Sequence, residues 1–238
     1  MVIVLNIGNT YSRAALWDGV RFELLPRVET ARLTAESLPA GLPVIAATVV
    51  PGVKERLAGL EIRYIDACDC GGRVDFSRID CSTLGADRVA NAIALAEFHP
   101  LPAIAVDCGT AITLEIVDAD RVFRGGAIAP GRRLMRRALA SGTAQLPEIP
   151  LSDELPELAG NGTAESIRFG VDRGAVGLVR ELVEAAARPY GGVGAATIIG
   201  TGGDAPYFAA ALPFIQLAPE EFTLHGIRLA GGALGFTI

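Results

Sequence analysis

The chain contains one strand–corner–strand pattern twice, and this repeat restricts the possible folds more than any other feature of the sequence. The first copy is VIVLNIGNTYSRAALW near the N-terminus, and the second is AIAVDCGTAITLEIV near the middle. The copies align at the polar residue that follows the first apolar run, Asn6 or Asp107, and at the glycine of the corner, Gly8 or Gly109. The repeat indicates an internal duplication of one α/β unit, with a β-hairpin in each copy.

Both corners have the composition of an anion-binding site. Glycine and asparagine tolerate the positive φ of a tight corner, and its backbone N–H groups can cradle an anion together with the hydroxyls of Thr10 and Ser12. The segment His99-Pro100-Leu101-Pro102 is typical of a boundary, which predicts two domains, 1–102 and 103–238. We expect the two corners to face a shared cleft between these domains and to hold a polyphosphate there.

The charge and hydropathy of the chain argue against several classes of function. Half of the 238 residues are apolar, and the formal net charge is −6 at pH 7. A nucleic-acid partner requires a basic surface, so we expect none. No window approaches 18 uncharged apolar residues, and the N-terminal apolar run stops at Asn6 without a basic region before it. We therefore expect no membrane segment and no signal peptide, and a cytoplasmic location.

Other motifs suggest alternatives that we rank lower. Cys68 and Cys70 form a C-x-C pair, whereas structural zinc sites use C-x-x-C pairs, so we interpret all four cysteines as reduced structural thiols. The pattern Gly200-x-Gly202-x-x-Ala205, with Glu220 farther on, matches a dinucleotide fingerprint, but too few residues follow it for a Rossmann domain. We favour a turn that lets a purine lie against the backbone. The sequence contains no P-loop motif, and its two histidines have no Ser or Cys partner by motif.

A helix is predicted from Leu84 to about Phe98, and its first turn carries Asp87 and Arg88. Asp87 alone could simply complement the helix dipole, but Arg88 opposes that dipole, and a pair that breaks a local rule favours a functional role. Asp107 directly follows a buried strand, where no structural cap is required. A carboxylate to accept a proton, a cation to orient an acidic substrate and two corners for phosphates fit phosphoryl transfer.

The remaining elements are predicted from periodicity and turn residues. The stretch 30–41 predicts one small helix, and 132–141 predicts a helix with four arginines at helical spacing. We interpret those arginines as a solvated face in preference to a phosphate site. The proline- and acid-rich stretch 142–162 predicts a long ordered loop or a lid, and a helix over 163–187 follows it.

Seven segments together resemble the motifs of type III pantothenate kinases, a family that includes proteins named Bvg accessory factor. They occur in the family's order: NIGNTYSRAALWDG, LGADRVANAIA, DCGTAITLEIV, GGAIAPG, TAQLP, GTAESIRFG and IIGTGGDA. The match covers almost the whole chain. It implies an α/β fold of duplicated ribonuclease H-like domains of the actin/hexokinase ATPase type with a central cleft, in a homodimer with sites at the interface. The implied reaction is ATP-dependent phosphorylation of pantothenate to 4'-phosphopantothenate, the entry step of coenzyme A biosynthesis.

The resemblance also implies roles for individual residues. Those along the phosphates of ATP would be Asn6, Ile7, Gly8, Asn9, Thr10, Tyr11, Ser12 and Arg13, with Thr110 also touching ATP. Those around pantothenate would be Gly85, Ala86, Asp87, Arg88 and Thr163. Asp87 would be the general base and Arg88 would bind the substrate carboxylate. Asp107 would bind a monovalent cation, K⁺ or NH₄⁺, and ATP would carry Mg²⁺. The residues alone do not separate the roles of Asp87 and Asp107.

Two positions depart from the family pattern. The family begins D-x-GNT, whereas Asn6 stands here, and an amide offers Mg²⁺ one oxygen without a charge. The family also carries a tyrosine shortly before GADR, whereas Phe76 is the only aromatic residue of 75–83. These departures leave an alternative, a catalytically weak or silent homologue that binds nucleotide or pantothenate and acts through a partner protein. The joint presence of four polar residues favours the active kinase: Asp87, Arg88, Asp107 and Thr110.

Overall fold

The structure, a computed structural model, describes residues 1–67 and 72–233. They form two mixed β-sheets with helices packed on them. The first sheet contains β1 (Val2–Ile7), β2 (Tyr11–Trp17), β3 (Phe22–Leu24), β4 (Val28–Glu29), β5 (Val44–Thr48) and β6 (Ile62–Tyr64). Its order is β3-β2-β1-β5-β6, with β4 beside β2. β2 runs antiparallel to β1, while β5 and β6 continue the sheet in the direction of β1.

The second sheet repeats this arrangement. It contains β7 (Ala103–Cys108), β8 (Ala111–Val117), β9 (Phe123–Pro130), β10 (Thr197–Thr201) and β11 (Gln216–Leu217), in the order β11-β10-β7-β8-β9. β10 is parallel to β7, as β5 is to β1. β1 and β7 also share one burial pattern, four buried residues, one half-buried polar residue and a last buried residue. The predicted duplication of one α/β unit is therefore confirmed.

The helices of the described residues include the three that are predicted over 84–98, 132–141 and 163–187. They are α1 (Val53–Arg56), α2 (Ala86–Phe98), α3 (Arg132–Gly142), α4 (Thr163–Ala187), α5 (Ala205–Ala211) and α6 (Phe222–Ala233). The single helix predicted over 30–41 is wrong, because two 3₁₀ turns form there, Thr30–Arg32 and Ala35–Ser37. Leu33 between them is extended, and the Thr34 N–H donates to the Ser37 hydroxyl at 3.1 Å, a local hydrogen bond that competes with helix formation.

The chain divides into two compact units. The first unit comprises Met1–Leu101, Val117–Arg124 and the described part of Pro219–Ile238, and the second comprises Pro102–Ile116 and Gly125–Ala218. Within the first unit, apolar side chains of β1 and β5 pack with neighbouring segments. Within the second, β7 and β10 pack against α4 and α5. The predicted domains, 1–102 and 103–238, and the shared cleft between them stay predictions.

The expectations for the cysteines and for a membrane segment can be compared with the described residues only. Cys68 and Cys70 lie outside the described residues, and Cys81 and Cys108 are free thiols. Over 1–67 and 72–233, no three His, Cys, Asp or Glu side chains are grouped as a metal site would require. Among those same residues, no helix is long and apolar enough to cross a membrane.

Candidate active site

The corner between β1 and β2 is braced from inside the first unit. The Gly8 N–H donates to the Tyr11 carbonyl at 3.2 Å, and the Thr30 hydroxyl donates to the Gly8 carbonyl at 2.7 Å. The buried hydroxyls of Ser12 and Thr30 lie 2.9 Å apart, and the Thr30 N–H donates to the Thr10 carbonyl. Ser12 and the buried Ile7 therefore support the corner, whereas Asn9, Thr10 and Tyr11 are its exposed residues.

Two guanidinium groups lie beside this corner. Arg13 forms an ion pair with Glu220, and the Arg27 guanidinium lies 4.0 Å from the centre of the Tyr11 ring. Burial lowers the pKa of Arg13, and the charge of Arg27 lowers it further, which reflects two cations close to each other. Guanidinium groups bind phosphates well, so Arg13 and Arg27 suit a polyphosphate although Glu220 pairs with Arg13 and the chain as a whole is acidic.

Asn6 has a buried side-chain oxygen, Oδ1, that accepts no hydrogen bond from the residues that the structure describes. In the β1–β2 register Asn6 lies opposite Arg13. Buried polar atoms in native structures are nearly always bonded, so an unbonded oxygen at this position calls for a ligand. An amide oxygen fits Mg²⁺ as one neutral ligand among phosphate oxygens and waters, but it does not supply the charge of a carboxylate.

The N-terminus of α2 positions Asp87 and Arg88. Gly85 precedes the helix, and Asp87 Oδ1 accepts the Arg88 N–H at 2.8 Å. A Cβ on Gly85 would lie 2.8 Å from that oxygen and 3.4 Å from Val49, so the small residue lets the carboxylate fold back over the helix end. Burial raises the pKa of Asp87, and the bond from the Arg88 N–H and the charge of Arg88 oppose the shift. The result is a carboxylate with increased affinity for a proton.

The structure brings this helix end and the first corner to one edge of the first sheet. The Val49 N–H donates to the carbonyl of Ile7 at 3.3 Å, directly before Gly8, and Val49 also lies against Gly85. β5, which ends at Thr48, thereby links the corner to α2. The predicted phosphate corner and the predicted substrate pair Asp87 and Arg88 are neighbours within the first unit.

The second corner, between β7 and β8, is enclosed by two glycine turns within the second unit. The Gly109 N–H donates to the Ala111 carbonyl at 2.9 Å, and the Gly131 N–H donates to the Thr110 carbonyl at 3.0 Å. A Cβ on Gly202 would lie 2.5 Å from Asp107 Oδ1. Asp107 is half-buried and Thr110 is exposed. The Asp107 carboxylate offers oxygen donors, which suit a hard cation.

The prediction of a solvated arginine face on α3 is wrong for two of its four arginines. Arg132 and Arg136 are 0 % and 1 % exposed, whereas Arg133 and Arg137 are exposed. Arg136 binds both carboxylate oxygens of the buried Asp172 at 2.7 Å, and Arg132 binds both of those of Asp204 at 3.0 and 3.1 Å. Helical spacing alone does not distinguish a solvated arginine from one that pairs with a carboxylate far away in the sequence. Asp172, a charged residue within the apolar stripe of α4, was the sequence feature that could have indicated a buried ion pair.

Arg132, Arg136 and a third arginine, Arg173 of α4, hold the segment before α4 by hydrogen bonds to its backbone. Arg136 donates to the Pro150 carbonyl, Arg132 donates to that of Ser152 at 2.9 Å, and Arg173 donates to that of Pro156 at 2.7 Å. These contacts favour an ordered loop over a lid. The segment leads to Thr163, which is exposed as the first residue of α4. Of the predicted site residues, Asp107, Thr110 and Thr163 thus belong to the second unit.

Comparison with known proteins identifies the relatives of this chain. Relatives named type III pantothenate kinase include those of Thermus thermophilus, 35% identical over 95% of this chain and 97% of the relative, and Paracoccus denitrificans, 32% identical over 96% of both. Among solved structures, a protein described as a Baf family transcriptional activator from Campylobacter jejuni is similar with a TM-score of 0.66, at 16% identity, over 99% of this chain and 100% of that one.

A second structural neighbour, the activator of 2-hydroxyisocaproyl-CoA dehydratase from Clostridium difficile with bound ADPNP, has a TM-score of 0.56 at 12% identity and covers 98% of this chain and 96% of that one. At such identities these likenesses show the fold alone, and the α/β fold of two repeated units that the sequence predicts is the one observed. The sequence profile described as type III pantothenate kinase matches residues 2–185. With this match and curated relatives at 30–35% identity over nearly its whole length, the chain belongs to the type III pantothenate kinase family.

Proposed function

We propose that this chain transfers the γ-phosphoryl group of ATP to the hydroxyl group of pantothenate and releases ADP and 4'-phosphopantothenate, the first step of coenzyme A biosynthesis. The observation that carries the proposal is the half-buried Asp87 carboxylate, with a raised pKa, on the same sheet edge as the Gly8 corner. A general base works best with a pKa near the operating pH, and burial moves Asp87 in that direction.

The oxygen of the pantothenate hydroxyl bonds to the γ-phosphorus of ATP while Asp87 accepts the hydroxyl proton. The bond between that phosphorus and the bridging oxygen breaks, and ADP leaves. Arg88 binds the pantothenate carboxylate, with Gly85 and Ala86 beside it and Thr163 as a further contact. The corner from Asn6 to Arg13 and Thr110 hold ATP. Phosphoryl transfer depends mainly on positioning and charge stabilisation, so this small set of side chains is sufficient.

Two cations belong to the proposal. Mg²⁺ would neutralise charge on the phosphate oxygens, and we assign to it Asn6 Oδ1, which is buried and has no hydrogen-bond partner among the described residues. K⁺ or NH₄⁺ is assigned to the Asp107 carboxylate, which is half-buried at the second corner. We also propose a homodimer, which the family resemblance implies, and sizing by light scattering tests it.

The second candidate is a homologue with weak or no catalysis, and Asn6 is the observation that favours it. Its amide cannot supply the carboxylate charge that the family motif provides. Such a protein would bind nucleotide or pantothenate and act through a partner.

A coupled assay of ADP release separates the two candidates. The full chain is incubated with ATP and Mg²⁺, with and without pantothenate, in K⁺ and in Na⁺. We expect ADP release that requires pantothenate and is faster in K⁺. Nucleotide binding without pantothenate-dependent release at high Mg²⁺ would overturn the kinase proposal and support the second candidate.

A further inference from the structure

The ion pair between the buried Arg132 and the half-buried Asp204 lies behind the Asp107 corner and is not part of the proposed chemistry. Arg132 is the first residue of α3 and follows Gly131, while Asp204 precedes α5 and follows Gly202 by two residues. The guanidinium Nε donates to one carboxylate oxygen at 3.1 Å and an Nη donates to the other at 3.0 Å. Such two-point contacts fix direction as well as distance.

The two glycine turns that this pair joins are the ones that enclose the corner. The Asp204 N–H donates to the Cys108 carbonyl at 2.9 Å, and the Gly131 N–H donates to the Thr110 carbonyl at 3.0 Å. A Cβ on Gly202 would lie 2.6 Å from the Cys108 carbonyl oxygen, and a Cβ on Gly131 would collide with the Gly109 and Thr110 carbonyls. Each turn holds the corner by one backbone hydrogen bond, and the ion pair sets the distance between the turns.

The surroundings of Arg132 keep its guanidinium in one orientation. It lies 3.4 Å from the centre of the Tyr207 ring, donates to the Ser152 carbonyl, and has Asp172 at 3.5 Å. Burial alone would lower the pKa of Arg132, but the hydrogen bonds and charge of Asp204, with the charge of Asp172, raise it. A fully buried charge is retained only with such compensation, and Asp204 supplies the two-point part of it.

We infer that Arg132 and Asp204 are positioning residues, which hold the Asp107–Thr110 corner in the geometry that binds the monovalent cation and ATP. The inference rests on the proposed function for the roles of Asp107 and Thr110. It goes beyond that function because neither Arg132 nor Asp204 touches a reactant in it. The pair acts on the cation and the nucleotide through the Gly131 and Gly202 turns, and it leaves the pantothenate contacts of Asp87 and Arg88 unaltered.

The test uses two conservative variants of the full chain. Asp204→Asn keeps the shape and one acceptor oxygen, and Arg132→Lys keeps the charge but loses the two-point contact. We expect each to weaken binding of a non-hydrolysable ATP analogue about tenfold, the loss of roughly one charge-assisted hydrogen bond. The K⁺ concentration for half-maximal activity should rise similarly, while the KM for pantothenate stays within about twofold. The double variant should be no worse than either single variant, because both remove one interaction.

Arg136→Lys is the matched control on the same helix. Arg136 is equally buried and pairs with Asp172, but its hydrogen bonds go to Asp172 and to the Ile149 and Pro150 carbonyls and not to the corner. We expect it to lower the unfolding temperature without changing analogue binding or the K⁺ requirement.

The inference is overturned if the Arg132 and Asp204 variants lower the unfolding temperature as the control does, yet bind the analogue and K⁺ as the wild type does. Equally weaker binding of the analogue in all three variants would also overturn the inference, because general destabilisation of the second unit would then explain the effect. Binding of the analogue is measured without pantothenate. A wild-type chain that binds it but never phosphorylates pantothenate would therefore refute the proposed function and leave this inference open to its own test.

Discussion

At the scale of single residues, the account depends on two side chains whose surroundings differ from those of ordinary surface groups. Asp87 is a carboxylate whose pKa burial raises, although the adjacent Arg88 N–H bond and charge oppose the change. Asn6 has a buried oxygen with no hydrogen-bond partner in the part of the chain that the structure describes. The first is suited to accept a proton, and the second to contact a ligand.

Asp87→Asn should reduce pantothenate-dependent turnover by at least about 10²-fold, because an amide cannot accept the hydroxyl proton. The unfolding temperature should not fall, since removal of a half-buried charge relieves desolvation. In the wild type, the acid limb of the kcat profile should lie at higher pH than for an exposed Asp, because the base must be ionised. Asp153→Asn, on an exposed loop carboxylate, is the control. Unchanged turnover in the Asp87 variant would refute its role as the base.

Asn6→Asp should lower the Mg²⁺ concentration that gives half-maximal turnover, by roughly three- to tenfold. The substitution adds a negative charge at a buried oxygen opposite Arg13 and supplies the carboxylate ligand that Mg²⁺ prefers. A Mg²⁺ titration at saturating ATP and pantothenate measures the change. Gln216→Glu adds the same charge at an exposed position of β11 and should leave the requirement unaltered. A requirement that is unchanged or higher in Asn6→Asp would contradict the assignment of Mg²⁺ to this position.

At the scale of elements, the first unit depends on a close contact between α2 and α6. The Asn91 side chain of α2 accepts a hydrogen bond from the Thr223 hydroxyl of α6 at 2.8 Å. One turn of α6 farther along, Gly226 meets the backbone of Ala90 so closely that a Cβ would collide with the Ala90 carbonyl. The helix that carries Asp87 at its start is therefore held along its length by the C-terminal helix.

Gly226→Ala should destabilise the protein although alanine is the better helix former. The added methyl group would push α6 away from α2, and overpacking of this kind costs about 1–3 kcal/mol. Gly177→Ala is the matched control, because Gly177 is exposed in α4 and has nothing within 4 Å of its Cβ position. Chemical denaturation should show a lower midpoint for Gly226→Ala and an equal or higher one for Gly177→Ala. A gain in both would contradict the packing argument.

Some features of the helices and strands could be predicted from the sequence alone, and others could not. The hairpins and α2 were predictable, because apolar runs that end at a polar residue and a glycine determine local structure directly. The positive φ expected at the corners was wrong, since none of Gly8, Asn9 and Gly109 adopts it. The ion pairs of Arg132 with Asp204 and Arg136 with Asp172 were not predictable, since each joins residues at least 36 positions apart. The position of Val49 between the Gly8 corner and Gly85 was likewise unpredictable, because it depends on the register of β1 against β5.

At the scale of the whole molecule, pH should affect stability through the two half-buried histidines. Partial burial lowers the pKa of His99 and of His225, and Arg228 lowers the pKa of His225 further, against an opposing effect of Glu221. His225 lies among aromatic rings, 4.7 Å from Phe22 and 5.1 Å from Phe98 between centroids, and its buried Nδ1 has no hydrogen-bond partner among the described residues. Protonation of this ring would place an unpaired charge in an apolar cluster.

Stability should therefore fall as the pH drops below about 6.5, the ordinary histidine pKa, because the unfolded chain then binds protons that the native chain does not. Between that pH and the lowered native pKa, the free energy of unfolding rises with pH. His225→Phe should reduce the dependence of the free energy of unfolding on pH in this range, and His99 should account for the dependence that is left. Urea denaturation of both proteins at pH 8 and pH 5.5 measures it. An identical slope in wild type and variant would contradict a lowered native pKa at His225.

The duplicated architecture gives the molecule two corners of one design with different chemistry. Gly8 is flanked by Asn6 and two arginines, which suits phosphates, whereas Gly109 is flanked by Asp107 and enclosed by two glycine turns, which suits a cation. Family membership and the position of Asp87 beside the first corner lead to one central claim, that pantothenate is the phosphoryl acceptor.

Direct detection of the product tests that claim most directly. The full chain is incubated with ATP, Mg²⁺, K⁺ and pantothenate, and the mixture is followed by ³¹P nuclear magnetic resonance. The account predicts a new phosphomonoester signal, assigned as 4'-phosphopantothenate by addition of the authentic compound, which grows in step with ADP and is absent with Asp87→Asn. Release of inorganic phosphate without the phosphomonoester, or no conversion of ATP at all, would contradict it.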